Sequence, residues 1–134
     1  AFGREKVRIL PPAEIDFSSL AKGKPRMATY EAKWNSESDL YLSTPSVCPA
    51  KISKNESEEL SSITLKLYHL FGADAYARAD FRKDKKGRVF FLEFNPNPDV
   101  SPGSGFRKAL NVAKIPFAKF AEEMIDIAMR RKNE

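Results

Sequence analysis

The sequence predicts an α+β domain in which helices pack on one face of an antiparallel β-sheet. Two alternating runs, residues 75–81 and 89–95, flank a short basic turn and predict an antiparallel hairpin. Apolar residues three and four positions apart, before and after this hairpin, are typical of amphipathic helices. The chain has 134 residues, 42% of them hydrophobic, and a net charge of +5. These values indicate one globular domain.

The first third of the chain predicts short strands and a long loop. Residues 6–10 alternate and predict a strand that Pro11 and Pro12 end. Residues 13–17 alternate again. Residues 31–50 carry few periodic signals, and a loop of this length in a compact domain is expected to be functional or mobile.

The first helix is predicted to begin after Ser53. Ser53 and Glu56 have the spacing of a capping box, in which each satisfies a backbone donor of the first turn. Gly72 is placed to end this helix in a left-handed cap. The predicted buried stripe consists of Leu60, Ile63, Leu67 and Leu70.

Two further helices are predicted after the hairpin. Residues 95–105 form a loop rich in Pro, Gly, Ser and Asn, and a short helix follows at residues 106–112. Pro116 is predicted to open the last helix from its first turn. The buried stripe of that helix is predicted to consist of Phe117, Phe120, Met124 and Ile127.

The composition excludes several classes of protein. A single Cys48 and a single His69 exclude an internal disulfide and a thiolate zinc site. The low cysteine content favours a reducing compartment, so the cytoplasm is expected. No apolar run approaches the ~20 residues of a membrane helix, and no membrane partner is expected. The positive charge favours an anionic partner, for which a small phosphate compound serves as well as a nucleic acid.

Oxygen-bearing side chains lie at the ends of the two hairpin strands. If the hairpin turns near residues 86–87, Asp80 lies across from Glu93, with Cβ atoms ~5 Å apart. Asn95 adds a neutral oxygen, and Arg78 shares the face of Asp80. Two carboxylates and an amide suit a hard cation such as Mg²⁺, which in proteins usually accompanies phosphate.

Strict alternation also predicts the two faces of the second strand. One face would carry Val89, Phe91, Glu93 and Asn95, and the other Phe90, Leu92 and Phe94. On spacing alone, the ordinary solvated face of a sheet is the favoured interpretation of such a pattern. An aromatic RNA-binding strand is the remaining alternative at residues 86–94, although Glu93 would then face the nucleic-acid phosphates.

The hairpin and the loop that follows it resemble a known family of enzymes. Arg-Ala-Asp-Phe at 78–81, Phe-Leu-Glu-Phe-Asn-Pro-Asn-Pro at 91–98 and Ser-Pro-Gly-Ser at 101–104 resemble the signature of the ATP-grasp ligases. The chain is most similar to the C-terminal part of D-alanine–D-alanine ligases. Further matches are Gly-Arg-Glu at 3–5 and residues 30–34 and 71–78.

This resemblance implies an ATP- and Mg²⁺-dependent (or Mn²⁺-dependent) ligase that joins a carboxylate to an amine through an acyl-phosphate. Asp80, Glu93 and Asn95 would be the metal ligands. Arg78 would stabilise the acyl-phosphate and the tetrahedral intermediate. The implied fold is the C-terminal half of an ATP-grasp fold.

Other roles implied by the resemblance lie outside the hairpin. Lys33 would reach the transferred phosphate of ATP from a mobile loop, and Glu5 would bind the ATP ribose. Ser104, beside Gly103, would contact the carboxylate of the amine-donating substrate, in a site that Trp34 closes. From the residues alone, a solvated lysine and a turn-forming serine are equally good interpretations of Lys33 and Ser104.

Two positions depart from the family pattern. Trp34 stands where these ligases usually carry Tyr. Asp99 stands where they usually carry a Gly whose backbone donor lines the oxyanion site, and it adds negative charge beside a substrate carboxylate. These departures bear on which amino-acid-like substrates the site accepts.

The resemblance also implies a larger protein. Residues 1–134 are expected to form the C-terminal ATP-grasp subdomain of a longer ligase and to be inactive alone. The expected partners are ATP, amino-acid-like substrates and the remaining N-terminal domains, with no nucleic acid and with a homodimer left open. The alternative is a non-catalytic nucleic-acid-binding or interaction domain.

Overall fold

The computed structural model describes residues 1–35 and 37–132, which form two small antiparallel sheets and a set of helices. The first half contains β1 (Glu14–Ile15), α1 (Tyr30–Trp34), α2 (Asp39–Leu42), β2 (Ser46–Val47) and α3 (Lys54–Leu70). The second half contains β3 (Arg78–Lys83), β4 (Val89–Asn95), α4 (Gly105–Val112) and α5 (Phe117–Arg131). The architecture is α+β, as the sequence predicts. The segment predicted as a loop, residues 31–50, contains most of α1 and all of α2 and β2.

Backbone pairing joins the start of the chain to its middle. Phe2 forms a β-bridge with Tyr76, the Gly3 N–H donates to the Ala75 carbonyl at 2.7 Å, and the Ala77 N–H donates to the Ala1 carbonyl at 3.0 Å. β1 pairs with β2, and β3 pairs with β4. Residues 1–3 thus run along the segment that leads into β3.

The predicted strand at residues 6–10 is wrong. Arg8 instead turns back on Phe2, and the two residues exchange N–H···O bonds of 2.8 and 3.0 Å in an isolated bridge. Gly3 makes this tight turn possible, since its φ is +115° and a Cβ there would lie 2.5 Å from the Lys6 carbonyl oxygen. The strand predicted at residues 13–17 is reduced to the two residues of β1.

Both predicted caps of α3 are confirmed. The Ser53 hydroxyl accepts from the Glu56 N–H, and the Glu56 carboxylate accepts from the Ser53 N–H. Gly72, with φ +63°, donates its N–H to the His69 carbonyl, and the Ala73 N–H donates to the Tyr68 carbonyl. This pair of bonds is the Schellman motif.

The predicted buried stripe of α3 is wrong at its end. Leu70 is 78% exposed, whereas Tyr68 is fully buried and donates its hydroxyl to the Gly3 carbonyl at 2.8 Å. Tyr68 sets the inward face of the last turn, and Leu70, about 200° further round the helix, therefore faces solvent.

The core lies between the N-terminal segment, α4 and α5. Its buried residues are Phe2, Leu10, Phe106, Ala109, Leu110 and Phe120. Phe120 is 3% exposed and contacts the rings of Phe2 and Phe106, each with a centroid distance of 5.3 Å. Phe117, predicted in the same stripe, is 37% exposed. Pro116 caps α5 from the position before its first residue rather than within the first turn. None of the helices in the described residues is both long enough and apolar enough to span a bilayer.

Candidate active site

The β3–β4 hairpin brings four of the predicted site residues together. Asp80 lies directly opposite Glu93, and Arg78 lies directly opposite Asn95. Because side chains alternate along a strand and opposed residues share a face, these four side chains form one patch. The register predicted from the sequence is therefore confirmed at this pair of carboxylates.

The faces predicted for β4 are correct for residues 93–95 and wrong for residues 89–91. The register shifts after Asp80, so that Phe81 lies opposite Phe91 and Leu92 is an extra residue on β4. Such a β-bulge reverses the alternation of the strand. Phe91 consequently lies on the face opposite Glu93, where its ring contacts Phe81 at a centroid distance of 6.1 Å.

Phe71, at the end of α3, covers part of that opposite face. Its ring stacks on Phe94 with a centroid distance of 4.8 Å and an interplanar angle of 17°. It also lies 6.5 Å from the Phe91 ring. The aromatic face thus packs toward α3, and the polar patch is left on the other side of the hairpin.

Arg78 carries the positive charge of the patch. Its Nε and Nη2 donate to the two carboxylate oxygens of Asp80 at 2.7 and 2.9 Å. Its Nη2 also lies 3.9 Å from Glu93 Oε1. All three side chains remain between 36% and 55% exposed, so the patch is open to a ligand.

Asn95 is held by the loop that follows it. The Asn97 N–H donates to Asn95 Oδ1 at 2.8 Å. Pro98, which follows Asn97, is fully buried and holds the loop against the domain. The amide oxygen of Asn95 is thereby oriented by backbone two residues away, as in an Asx turn.

Asp99 forms a second turn in the same loop. Its carboxylate accepts from the Ser101 N–H at 2.8 Å and from the Ser101 hydroxyl at 2.9 Å. These bonds, together with the positive charge of Arg78, hold the pKa of Asp99 below its usual value. Asp99 is therefore negatively charged at neutral pH, and its charge interacts favourably with that of Arg78.

Ser104 and Gly103 lie where this loop meets α4. The Ser104 hydroxyl accepts from the Arg107 N–H at 3.3 Å and so caps the helix. Gly103 has a φ of +89°, a conformation that favours glycine. The contacts of Ser104 are those of a turn-forming residue. Substrate contact by Ser104 or Gly103 stays a prediction.

The remaining predicted residues lie on other elements. Lys33 is exposed in the last turn of α1, whose N-cap is Thr29. Trp34 ends the same helix, and its side chain lies outside the described residues. Glu5 accepts a hydrogen bond of 2.9 Å from Arg130 of α5 and is 82% exposed. These three residues therefore lie on other elements than the hairpin that carries the patch.

The donor set of the patch fits a hard divalent cation. Over residues 1–35 and 37–132, no three His, Cys, Asp or Glu side chains are arranged to hold a metal. A cation bound by Asp80 and Glu93 would therefore need a further donor of another type. The Asn95 amide oxygen is the candidate for this further donor. Arg78 occupies one direction on each Asp80 oxygen, and a carboxylate offers about four acceptor directions. Asp80 can therefore bind Arg78 and a cation at the same time.

Sequence reasoning missed two residues that hold the site. The Tyr76 hydroxyl hydrogen-bonds Asn97 Oδ1 at 2.5 Å, and the Asn97 backbone in turn holds Asn95. The spacing of Asn95 and Asn97 is a signal for an Asx turn. The contact of Tyr76 with this loop joins residues 21 positions apart and has no local signal.

A model of the family described as D-ala D-ala ligase C-terminus matches residues 2–126. This match places the α+β arrangement, with its hairpin and following loop, in the C-terminal part of the ATP-grasp fold. The chain belongs to the D-alanine–D-alanine ligase C-terminal family.

Individual relatives agree with this assignment. Uncharacterized protein y4sG of Sinorhizobium fredii (strain NBRC 101917 / NGR234) is 30% identical over 129 residues, which cover 96% of this chain and 36% of the relative. D-alanine–D-alanine ligase B of Clostridium tetani is 31% identical over 104 residues, covering 77% and 28%. The D-alanine–D-alanine ligase of Caldicellulosiruptor bescii is 27% identical, covering 98% and 34%. The chain spans about a third of the length of these relatives.

Proposed function

We propose that this chain supplies the metal- and phosphate-binding side of the active site of an ATP-dependent carboxylate–amine ligase. The observation that carries the proposal is the hairpin register, in which Asp80 faces Glu93 and Arg78 faces Asn95. The membership of the chain in a ligase family supports it. The reacting groups would come from ATP and two amino-acid-like substrates.

The proposed reaction has two steps. A substrate carboxylate oxygen attacks the γ-phosphorus of ATP, the bond to the bridging oxygen breaks, and ADP leaves. An amine nitrogen then attacks the acyl carbon, inorganic phosphate leaves, and the nitrogen loses a proton. The products are an amide, ADP and phosphate. Catalysis of phosphoryl transfer depends mainly on positioning and charge stabilisation.

The residues of the patch fit these requirements. Asp80, Glu93 and Asn95 would hold Mg²⁺, which supplies charge neutralisation at the ATP phosphates. Arg78 presents a planar guanidinium that binds carboxylates and phosphates bidentately, and it would stabilise negative charge on the acyl-phosphate and on the tetrahedral species. Lys33 would add a charge from α1, and Ser104 and Gly103 would lie at the substrate carboxylate.

Metal binding to this chain tests the first part of the proposal. We expect Mn²⁺, used as the probe for its electron paramagnetic resonance signal, to bind the chain in a one-to-one complex. Asp80→Asn or Glu93→Gln should weaken binding by at least about tenfold, since each removes a charged ligand. Asp126→Asn on α5 and Glu59→Gln on α3 are matched controls on exposed helix surfaces and should bind like the wild type.

Turnover tests the second part. In the full-length protein, ATP consumption should require Mg²⁺, a carboxylate and an amine together, and Asp80→Asn and Glu93→Gln should abolish it without lowering the melting temperature. Full activity of both variants would contradict the proposal. Salt-dependent binding of an oligonucleotide, with no ATP consumption, would instead favour the nucleic-acid-binding alternative.

A further inference from the structure

We propose that Tyr76 is a positioning residue for the metal-binding amide of Asn95 and that it acts through Asn97. The metal-binding part of this inference rests on the function proposed above. The ordering of the Asn95 side chain does not, because it concerns contacts within the chain alone. The two parts can therefore be tested separately.

The ring of Tyr76 is held by the hydrophobic core. It meets the Phe106 ring edge-on at a centroid distance of 5.9 Å and the Phe120 ring at 5.6 Å, with interplanar angles of 73° and 90°. Its backbone pairs with Phe2. Edge-to-face packing on two sides leaves the ring few alternative orientations, so the position of its hydroxyl is set by the core.

A chain of two hydrogen bonds runs from this hydroxyl to the patch. Tyr76 Oη lies 2.5 Å from Asn97 Oδ1, and the Asn97 backbone N–H donates to Asn95 Oδ1 at 2.8 Å. The burial of Pro98 holds the same loop from its other side. The loop is thus attached to the core at two adjacent residues.

The bond to Asn95 determines which amide atom is presented. A backbone N–H is a donor, so the Asn95 atom that it meets must be the oxygen, and that oxygen keeps a second lone pair. Because Asn95 lies opposite Arg78 and next to the Asp80–Glu93 pair, this lone pair is the neutral donor of the patch. Residues that orient a metal ligand commonly change metal affinity 10- to 100-fold when they are replaced.

Tyr76→Phe tests the inference, and the chain contains a matched control. Tyr68 is a second tyrosine whose hydroxyl is bonded inside the domain, at 2.8 Å to the Gly3 carbonyl, and it lies on α3. We expect Tyr76→Phe to weaken Mn²⁺ binding by about 10-fold or more. Tyr68→Phe should lower the melting temperature and leave Mn²⁺ affinity unchanged.

A metal-free measurement separates this inference from the proposed function. In nuclear magnetic resonance spectra, Tyr76→Phe should speed hydrogen exchange of the Asn97 backbone amide and collapse the shift dispersion of the Asn95 side-chain NH₂, whereas Tyr68→Phe should do neither. Asn97→Ala should reproduce these effects on Asn95, and adding Tyr76→Phe to it should have little further effect on Mn²⁺ affinity.

The outcomes distinguish the two ideas. Unchanged Asn95 and Asn97 signals in Tyr76→Phe would overturn the positioning role whatever the metal does. Mn²⁺ affinity that falls equally in Tyr68→Phe and Tyr76→Phe would also overturn it, because loss of stability alone would then explain the change. Absence of Mn²⁺ binding by the wild type would contradict the proposed metal site, while the metal-free spectra would still decide whether Tyr76 orders Asn95.

Discussion

The Arg78 guanidinium binds both carboxylate oxygens of Asp80, and it reaches toward Glu93 with the same Nη2 atom. It therefore compensates two facing carboxylates that would otherwise repel each other. The same charge repels a cation, although each Asp80 oxygen keeps a free acceptor direction beside Arg78. Arg78 should consequently affect metal binding and catalysis in opposite directions.

Replacing this residue tests that relationship. Arg78→Met keeps most of the side-chain length and removes the charge. Mn²⁺ affinity of the chain should rise by about fivefold, corresponding to ~1 kcal/mol for a half-exposed charge. ATP consumption by the full-length protein should fall by at least about 100-fold, because charge on the reacting group is no longer stabilised. Mn²⁺ titration and phosphate release measure the two effects, and a parallel fall in both would contradict this account.

Asp99 should influence which amine the ligase accepts. Its carboxylate stays ionised through its bonds with Ser101 and the nearby charge of Arg78. Asp99→Gly should raise kcat/KM for amines with a free α-carboxylate by about 10-fold, or ~1.4 kcal/mol, relative to amines without one. Steady-state phosphate release with paired substrates measures this ratio.

Asp99→Asn is the control for that experiment, because it removes the charge while keeping an oxygen that accepts from Ser101. If charge is the cause, both variants shift the substrate ratio. A shift in Asp99→Gly alone would assign the effect to the shape of the loop.

The capping box should make stability depend on pH in acid. Hydrogen bonds from Lys83 and from the backbone and hydroxyl of Ser53 lower the pKa of Glu56 to about 2. A depressed carboxyl pKa stabilises the fold above the ordinary glutamate value, and this contribution is lost as the pH falls toward 2. Urea unfolding of wild type and Glu56→Gln should show stabilities that converge over this range.

Two phenylalanines of α5 should differ sharply in how much they contribute to the free energy of unfolding. Phe120→Ala should cost about 3–5 kcal/mol of unfolding free energy, since the ring is buried among other aromatic rings. Phe117→Ala should cost about 1 kcal/mol, because its ring is 37% exposed and contacts the Arg107 guanidinium at 3.7 Å and the edge of the core at Phe120. Chemical denaturation measures both, and equal losses would show that the core extends further along α5 than its burial indicates.

Features governed by neighbouring residues could be predicted from the sequence. The capping box at Ser53 and the left-handed Gly72 depend on bonds within a few residues. The pairing of Asp80 with Glu93 was predicted from an assumed turn near residues 86–87, but the strands pair Lys83 with Val89 beside the turn, a register that alone would place Asp80 opposite Leu92. The prediction is correct at Asp80 and Glu93 because the bulge at Leu92 restores that pair, and the bulge itself was not predicted from the sequence.

Features set by distant contacts could not be predicted in this way. Leu70 continues the apolar spacing of α3, yet docking of Tyr68 on Gly3 turns that position to solvent. The alternation of residues 6–10 is real, but Arg8 finds its partner in Phe2. Local and distant features can also be told apart in the site. Asp80 and Asn95 belong to a sequence motif, whereas the contact of Tyr76 with Asn97 depends on tertiary packing.

The extra residue at Leu92 allows one short strand to serve two environments. Because the ladder skips Leu92, Phe91 and Glu93 lie on opposite faces of the hairpin although they are two positions apart in the sequence. Deletion of Leu92 should leave Phe91 opposite Phe81 and Glu93 opposite Asp80 and remove only the bulge, in keeping with the 62% exposure of Leu92. The pairing of the two strands, rather than the spacing of side chains along the sequence, therefore determines which of them share a face with Asp80.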